Sequence, residues 1–282
     1  MSAEPLHTVR AATTTGVGVA PASVDAPKST RSMDSWPETR QHLAPRPGDT
    51  DVWRIALPSS WDTTCDHLLG LLDEGERGRA GNMVRERDRV AFVVAHGALR
   101  DILGHRLDLP PSSLRFRVGR YGKPYLADTR LSFSLSHTHG SALVAASAQG
   151  PVGVDIERAT GADFSALADR FFTAREASAV REAADSGRPS RFLAYWTCKE
   201  SFVKALGLGL SQPLDRFEIR FAGAPRRAEV WSGGRRREEW HVRQLPMAPS
   251  CFAAVTVRGP LARLRTWAWN PRATHRAARP SA

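Results

Sequence analysis

Apolar residues recur along this chain in two similar series of strands and helices. The first series opens with a predicted strand at Val52–Ala56, and its strongest helix is predicted from about 88 to 103, where valine and leucine side chains share one face. A shorter helix is predicted at 65–72, and short strands at 114–118, 131–136 and 142–148. Tyr121-Gly122-Lys123 before Pro124 predicts a turn.

The second series begins with a predicted strand at 151–157. Thr173 and Glu176 have the spacing of a capping box, which predicts the start of a helix. A long helix is predicted from about 190 to 206, where Gly207 is placed to end it. A helix at 164–172 and strands at 216–221, 228–231, 240–245 and 251–257 complete the series.

The two series share an order of elements at a distance of about 100 residues, because a long helix is followed each time by a strand, a turn and further strands. We therefore predict an α+β (α/β) fold built as a pseudo-dimer of two similar lobes. Each lobe is a small, mostly antiparallel sheet packed with a long helix, and a cleft lies between the lobes. The predicted divisions are a disordered extension at 1–46, lobes at 47–150 and 151–257, and a basic tail at 258–282.

The composition is that of a soluble globular protein, with 41% hydrophobic and 24% charged residues among 282. No stretch approaches the ~18 apolar residues that cross a bilayer, and the N-terminus lacks the apolar core of a secretory signal. Cys65, Cys198 and Cys251 are widely spaced and form no C-x-x-C motif, so we expect reduced thiols. A cytoplasmic protein without membrane contact is the expectation.

The formal charge of +11 is spread unevenly. Residues 258–282 contain six arginines and no acidic residue, whereas 1–46 carry a net charge of +1. The body between them has a net charge of +4, which suits an anionic ligand or an acidic protein partner. Charge alone leaves nucleic-acid binding open.

Two carboxylates alternate along the strand Gly153-Val154-Asp155-Ile156-Glu157. Strand side chains point to opposite faces in turn, so Asp155 and Glu157 share a face, with Cα atoms roughly 6–7 Å apart. A hard divalent cation relieves the repulsion of such a pair, and magnesium is typical where phosphates supply further ligands. The spacing alone also fits a half-exposed strand with its acidic residues in solvent.

The long second helix contains charged residues among strongly apolar ones. Glu200 and Lys204 are four residues apart and share a helix face, as a simple surface ion pair also would. Placed beside Asp155 and Glu157, Glu200 would give three carboxylates in one site. Lys199 and Lys204 would then be available to phosphate oxygens and to developing negative charge.

Two further candidates come from the first series. His137 ends a predicted strand among hydroxyl groups, where it is placed to donate hydrogen bonds to phosphate, although a lone histidine also fits a structural role. Lys123 lies in the predicted turn and fits either a phosphate contact or a solvated lysine.

Four motifs therefore occur in order: Tyr121-Gly122-Lys123-Pro124-Tyr125, Phe133-Ser134-Leu135-Ser136-His137, Gly153-Val154-Asp155-Ile156-Glu157 and Trp196-x-x-Lys199-Glu200-Ser201-x-x-Lys204. Over roughly residues 55 to 257 this series resembles the surfactin-type (Sfp-type) 4′-phosphopantetheinyl transferases. The resemblance implies coenzyme A as a co-substrate in the cleft between the lobes. It also implies a Mg²⁺ ion, which the sequence does not distinguish from Mn²⁺, bound by Asp155, Glu157 and Glu200.

The same resemblance assigns the contacts with coenzyme A. It places Ser136 and His137 on the phosphates and the 3′-phosphoadenosine, and Lys123 and Pro124 on the adenine side. It places Lys199 and Lys204 on phosphate oxygens. Basic residues of the first lobe are expected to reach the 3′-phosphate, and among its arginines we favour Arg79 and Arg87.

The implied reaction moves the phosphopantetheine arm of coenzyme A to a serine of an apo acyl or peptidyl carrier protein and releases 3′,5′-ADP. Glu200, directly or through a metal-bound water, is the candidate base, Lys204 the group that stabilises or protonates the leaving group, and Asp155 a catalytic metal ligand. We expect the N-terminal lobe to bind coenzyme A, the C-terminal lobe to bind metal and carrier, and the chain to be a monomer.

Two other classes of function compete with this interpretation. The tail and the run Arg235-Arg236-Arg237 would suit a nucleic-acid-binding protein, but that class gives no reason for three carboxylates facing one cleft. A non-catalytic carrier-binding module is the second, and the presence of all three acidic residues argues against it.

Overall fold

The computed structural model of the protein describes residues 36–38, 48–160, 164–223, 226–259 and 263–271. Most of the extension predicted to be disordered, and the end of the basic tail, lie outside the described residues. No helix within these ranges is long and apolar enough to cross a membrane.

Among the described residues, the first series along the chain contains five strands and three α-helices. They are β1 (Asp49–Ala56), α1 (Thr63–Leu71), α2 (Glu74–Gly81), α3 (Glu86–Leu107), β2 (Phe116–Val118), β3 (Pro124–Leu126), β4 (Ser132–Thr138) and β5 (Ser141–Ser147). The second series is β6 (Val152–Arg158), α4 (Ser165–Phe171), α5 (Ala174–Arg181), α6 (Arg188–Leu206), β7 (Glu218–Phe221), β8 (Arg227–Ser232), β9 (Arg235–Arg236), β10 (Trp240–Gln244), β11 (Cys251–Arg258) and β12 (Arg263–Ala268).

Two larger sheets organise most of these elements, each packs with one long helix, and β2 and β3 form a separate two-stranded sheet. The first sheet has the order β12-β1-β5-β4, and the second has the order β6-β11-β10-β8-β7 with β9 beside β8. Neighbouring strands are antiparallel except for β12, which lies parallel to β1. Helix α3 belongs to the apolar core of the first lobe and α6 to that of the second, while a third cluster joins the two sheets. The predicted α+β class is confirmed.

A buried ion pair ties the helices of the first lobe together. Asp73 and Glu76 form a capping box at the start of α2. Arg100 of α3 is fully buried and donates to Glu76 Oε2 at 2.6 Å and to the Leu114 carbonyl at 3.1 Å. The charge is therefore paired and hydrogen-bonded, as a buried guanidinium must be.

The second lobe repeats this arrangement about 100 residues later. Thr173 and Glu176 form the predicted capping box at the start of α5. Lys199 of α6 is fully buried, pairs with Glu176 Oε2 at 2.8 Å and donates to the Leu214 carbonyl at 2.8 Å. The repeat inferred from the order of elements is thus visible in individual contacts.

The structure differs from the predicted basic tail. Arg263–Ala268 is a strand of the first sheet, and Arg265 Nε donates to Asp51 Oδ1 at 2.6 Å. Trp269 Nε1 donates to Asp101 Oδ2 of α3 at 2.8 Å. The positive charge of this segment therefore neutralises buried carboxylates of the first lobe. At the other end, Trp36 is buried within the expected disordered extension and donates to the Pro246 carbonyl at 3.0 Å.

Lys199→Met should lower the free energy of unfolding by about 3–5 kcal/mol, because it leaves the Glu176 carboxylate buried without its cation. The double variant Glu176→Gln/Lys199→Met should recover part of that loss. Urea unfolding measures both. Arg87→Met is the control, since its ion pair with Asp88 is exposed and should change stability by no more than about 0.5 kcal/mol. A loss at Lys199 as small as at Arg87 would contradict the role of the buried pair.

Candidate active site

The two sheets meet at the neighbouring edge strands β4 and β6, which we call the seam. Side chains of β4 bridge to β6 here. Ser134 Oγ accepts a hydrogen bond from Val154 N at 3.1 Å, and Ser136 Oγ donates to Asp155 Oδ1 at 2.9 Å. Because side chains alternate along a strand, Ser134 and Ser136 lie on the same face of β4. The two serines of the motif at 133–137 therefore position β6, the strand that contains the motif at 153–157.

Helix α6 brings a lysine to the same carboxylate. Lys204 Nζ lies 2.7 Å from Asp155 Oδ1 and 2.8 Å from Ser136 Oγ. Asp155 is 1% exposed, whereas the Lys204 side chain keeps 21% of its surface exposed. Three of the four motifs thus converge on one buried carboxylate with a cation that still reaches solvent.

Glu200 lies one turn before Lys204 on α6 and is buried. Burial first, and repulsion by Asp155 second, raise the pKa of Glu200 to about 7, while Lys204 opposes the shift. A carboxyl with a pKa near neutrality is suited to take up a proton at the pH of the cell.

Gly153 explains how β6 comes so close to α6. A Cβ atom at this position would lie 2.0 Å from the Ser201 carbonyl oxygen and 2.4 Å from Ala205 N. Glycine lets the strand rest directly on the helix backbone, which brings Asp155 within reach of Lys204. Gly153 and Ser134 stand in two of the four motifs without a predicted role, although a glycine inside a strand is a signal of close backbone approach.

The site fits a cation only in part. Across the described ranges no group of three or more His, Cys, Asp or Glu side chains is gathered as a metal site. Lys204 bonds to the carboxylate of Asp155, and Glu157 is buried on the same strand. Yet Asp155 Oδ2 is buried without a hydrogen-bond partner among the described residues, and the carboxylate of Glu200 is near enough to Asp155 to repel it. Carboxylate oxygens suit a hard divalent ion.

Two lysines predicted to contact coenzyme A are engaged elsewhere. The predicted phosphate contact of Lys199 is corrected by the structure. Its ammonium has three N–H donors, and these contact Glu176 Oε2 and two carbonyls, that of Phe217 at 2.7 Å among them. It holds the core of the second lobe and is shut off from any ligand. Lys123 donates to the carbonyls of Val152 at 2.9 Å and Ala205 at 3.4 Å.

The remaining predicted contacts lie on the first lobe. His137 follows Ser136 on β4 and is exposed, and Pro124 is exposed beside a pocket of about 200 Å³ between β3 and the start of β4. Arg79 lies over the Phe92 ring at 5.4 Å, and Arg87 pairs with Asp88 at 3.4 Å. Both arginines are exposed, and neither contact brings them to the seam.

A strand and a helix from one lobe, and a serine from the other, place buried carboxylates beside the ammonium of Lys204, whose side chain is partly exposed. An ammonium placed to stabilise negative charge is typical of enzymes that act on anionic substrates. The comparisons with known proteins give the class of enzyme and its family.

Residues 151–255 match the model of the 4′-phosphopantetheinyl transferase superfamily. The 4′-phosphopantetheinyl transferase HetI of a Nostoc species is 32% identical over 234 residues, covering 80% of this chain and 92% of that protein. The human L-aminoadipate-semialdehyde dehydrogenase-phosphopantetheinyl transferase is 27% identical over 230 residues, 74% of each chain. The 4′-phosphopantetheinyl transferase Sfp of Bacillus subtilis is 28% identical over 156 residues, 55% of this chain and 69% of that protein.

The chain belongs to the 4′-phosphopantetheinyl transferase superfamily. It is a transferase that moves 4′-phosphopantetheine from coenzyme A to a carrier-protein serine, and the resemblance drawn from the four motifs is confirmed.

Gly153→Ala should separate β6 from α6, because the new methyl group meets backbone atoms that cannot move aside. We expect a loss of activity and of stability, measured by transfer assay and thermal unfolding. Gly187→Ala is the matched control, since nothing lies within 4 Å of its Cβ position. Normal activity of the Gly153 variant would disprove the close approach.

Without metal, stability should depend on pH through Glu200. Folding raises its pKa from 4.5 to about 7, so the folded state binds this proton more tightly than the unfolded state. The free energy of unfolding is then highest below pH 4.5 and falls as the pH rises through about 7, by at most about 3 kcal/mol. Urea unfolding between about pH 5 and pH 8 in chelator should show this fall in wild type and a smaller one in Glu200→Gln. Equal falls would contradict it.

Proposed function

We propose that this chain is a magnesium-dependent holo-carrier-protein synthase whose reaction takes place at the seam, with an apo acyl or peptidyl carrier protein as its partner. The observation that carries the proposal is the contact of Lys204 and Ser136 with the buried carboxylate of Asp155, beside Glu200. The proposed base, Glu200, and the proposed cation, Lys204, would then act at one point between the lobes.

Asp155, Glu157 and Glu200 would hold the ion, Mg²⁺ or Mn²⁺. A bound divalent ion would neutralise the pyrophosphate of coenzyme A and stabilise the negative charge of the leaving 3′,5′-ADP. Support for the ligand set comes from the unpartnered Asp155 Oδ2 and from the repulsion between Asp155 and Glu200, which a cation would relieve.

The chain's own residues would move the proton and orient the phosphates. The serine hydroxyl of the carrier attacks the phosphorus on the pantetheine side, its proton passes to the Glu200 carboxylate, and the bond from that phosphorus to the bridging oxygen breaks. Lys204 would donate to the oxygen that gains charge, since its ammonium already lies at the seam and its side chain is partly exposed. Ser136 would keep that ammonium and Asp155 in register.

Coenzyme A would lie across the first lobe. His137, adjacent to Ser136 and exposed, would contact its phosphates, and Pro124 would line the adenine side near the pocket behind β3. Arg79 and Arg87 are exposed and available to the 3′-phosphate. Lys199 is removed from the predicted set.

The partner and the compartment follow from charge and cysteine chemistry. The body of the chain has a net charge of +4, which suits an acidic carrier protein. All three cysteines are buried and unpaired, as a reducing cytoplasm would leave them. We propose that the chain acts there as a monomer, because one chain supplies both lobes.

Nucleic-acid binding is the less favoured alternative. In the run that suggested it, Arg236 pairs with Glu229 at 3.3 Å and Arg237 with Glu239 at 2.7 Å. Arg265 of the basic tail is likewise paired with Asp51. Part of the basic charge is therefore neutralised within the protein.

Incubation with coenzyme A, Mg²⁺ and an apo carrier protein should add about 340 Da to the carrier, as read by mass spectrometry. Glu200→Gln should lower kcat at least about 100-fold while the protein stays folded, because a general base contributes on that order. Glu238→Gln, an exposed carboxyl on the surface, is the matched control. No mass gain across a panel of apo carriers would refute the proposal, and full activity of Glu200→Gln would remove Glu200 from the mechanism.

A further inference from the structure

Lys123 reaches from the first lobe to the second. It ends the turn between β2 and β3, where Gly119 N donates to the Lys123 carbonyl at 2.9 Å and Gly122 has a positive φ of 90°. From this braced turn the side chain crosses the seam, and its ammonium donates to the carbonyls of Val152 and Ala205.

The two acceptors belong to the two elements that build the active site. Val152 is the first residue of β6, three positions before Asp155. Ala205 lies in the last turn of α6, directly after Lys204. The last four carbonyls of an α-helix have no partner within the helix, and a cation there also interacts favourably with the helix dipole. One ammonium therefore joins the end of α6 to the start of β6.

Gly207 makes room for this side chain. It ends α6 with a φ of 72°, and a Cβ at this position would lie 3.1 Å from Lys123 Cδ and 3.7 Å from Lys123 Cβ. The aliphatic stem of Lys123 thus packs against the backbone of the helix end. A side chain at Gly207 would be strained by the backbone conformation and would press on the lysine.

We propose that Lys123 is a positioning residue that holds the end of α6 and the start of β6 against the first lobe, and so sets Lys204 on Asp155 and Ser136. The catalytic consequence rests on the proposed function. The role differs from the adenine contact that the resemblance implied, because the ammonium is committed to protein carbonyls. Burial lowers the pKa of Lys123 to about 8.

Steady-state kinetics separate positioning from ligand binding. Lys123→Met should lower kcat about tenfold or more and leave KM for coenzyme A within about twofold, since small displacements of a catalytic group are costly while ligand contacts are kept. A raised KM with unchanged kcat would overturn the proposal and make Lys123 a ligand contact.

A double-mutant cycle tests whether Gly207 and Lys123 act as a unit. Gly207→Ala should lower kcat in the same way. Its effect on kcat should be smaller in the Lys123→Ala background, because the lysine stem on which the new methyl group presses is then absent, whereas the backbone strain at Gly207 is the same in both backgrounds. Gly233→Ala is the matched control, since Gly233 has a positive φ of 58° and nothing within 4 Å of its Cβ position. Additive losses would overturn the coupling.

Hydrogen exchange tests, without any substrate, whether Lys123 holds the end of α6. In Lys123→Met the amides of residues 203–209 should exchange about tenfold faster than in wild type, while the amides of α3 should not change. Unchanged exchange at the end of α6 would overturn the proposal. A wild-type protein that modifies no carrier would refute the proposed function instead, and the exchange result would still decide whether Lys123 holds the helix.

Chemical rescue distinguishes the charge from the volume of the side chain. Lys123→Cys alkylated with 2-bromoethylamine regains an ammonium at about the length of lysine, and the three native cysteines are buried, so alkylation should be selective. The alkylated variant should recover the kcat of the wild type and the slow hydrogen exchange of the amides at 203–209. The same variant carrying a neutral alkyl group of equal length should recover neither, and equal recovery by both would overturn the proposal.

Discussion

The buried carboxylate of Asp155 is the group on which the rest of the site depends. It is nearly inaccessible to solvent, and its Oδ1 atom is shared by Lys204 of α6 and Ser136 of β4. A buried charge is costly unless it is paired and hydrogen-bonded, and here Lys204 of the same lobe pairs with it while Ser136 of the other lobe donates a hydrogen bond. The same requirement fixes the relative positions of β4, β6 and α6, which are the elements that build the proposed reaction centre.

The repeat shows why only one lobe has the proposed site. Arg100 and Lys199 hold equivalent places on α3 and α6, so Asp101 is the counterpart of Glu200. Asp101 accepts a hydrogen bond from Trp269, which lies just beyond β12, whereas Glu200 faces Asp155 and has a raised pKa. The segment expected to be a tail therefore covers this position in the first lobe. The two lobes share an arrangement of helices and strands, and they differ in the segment that packs against the long helix at this position.

The three lysines of the motifs, Lys123, Lys199 and Lys204, differ in how far they are buried and in the groups they contact. Lys199 is fully buried and saturated by Glu176 and two carbonyls, and Lys123 is engaged across the seam. Of the three, Lys204 pairs with the buried carboxylate of Asp155 and has a partly exposed side chain. The motifs of the chain thus supply one lysine that holds the core of the second lobe, one that joins the lobes and one proposed to act in the reaction.

Local patterns by themselves determined the two series of elements, the capping box at Thr173, the end of α6 at Gly207 and the motifs that identify the family, because these depend on residues near one another in sequence. Only the tertiary structure decided three other features: strand β12, the close contact at Gly153, and the different partners of Lys123, Lys199 and Lys204. Each depends on atoms brought together from distant parts of the chain: a buried carboxylate selects its partner by distance and desolvation, and neither quantity is encoded in local spacing.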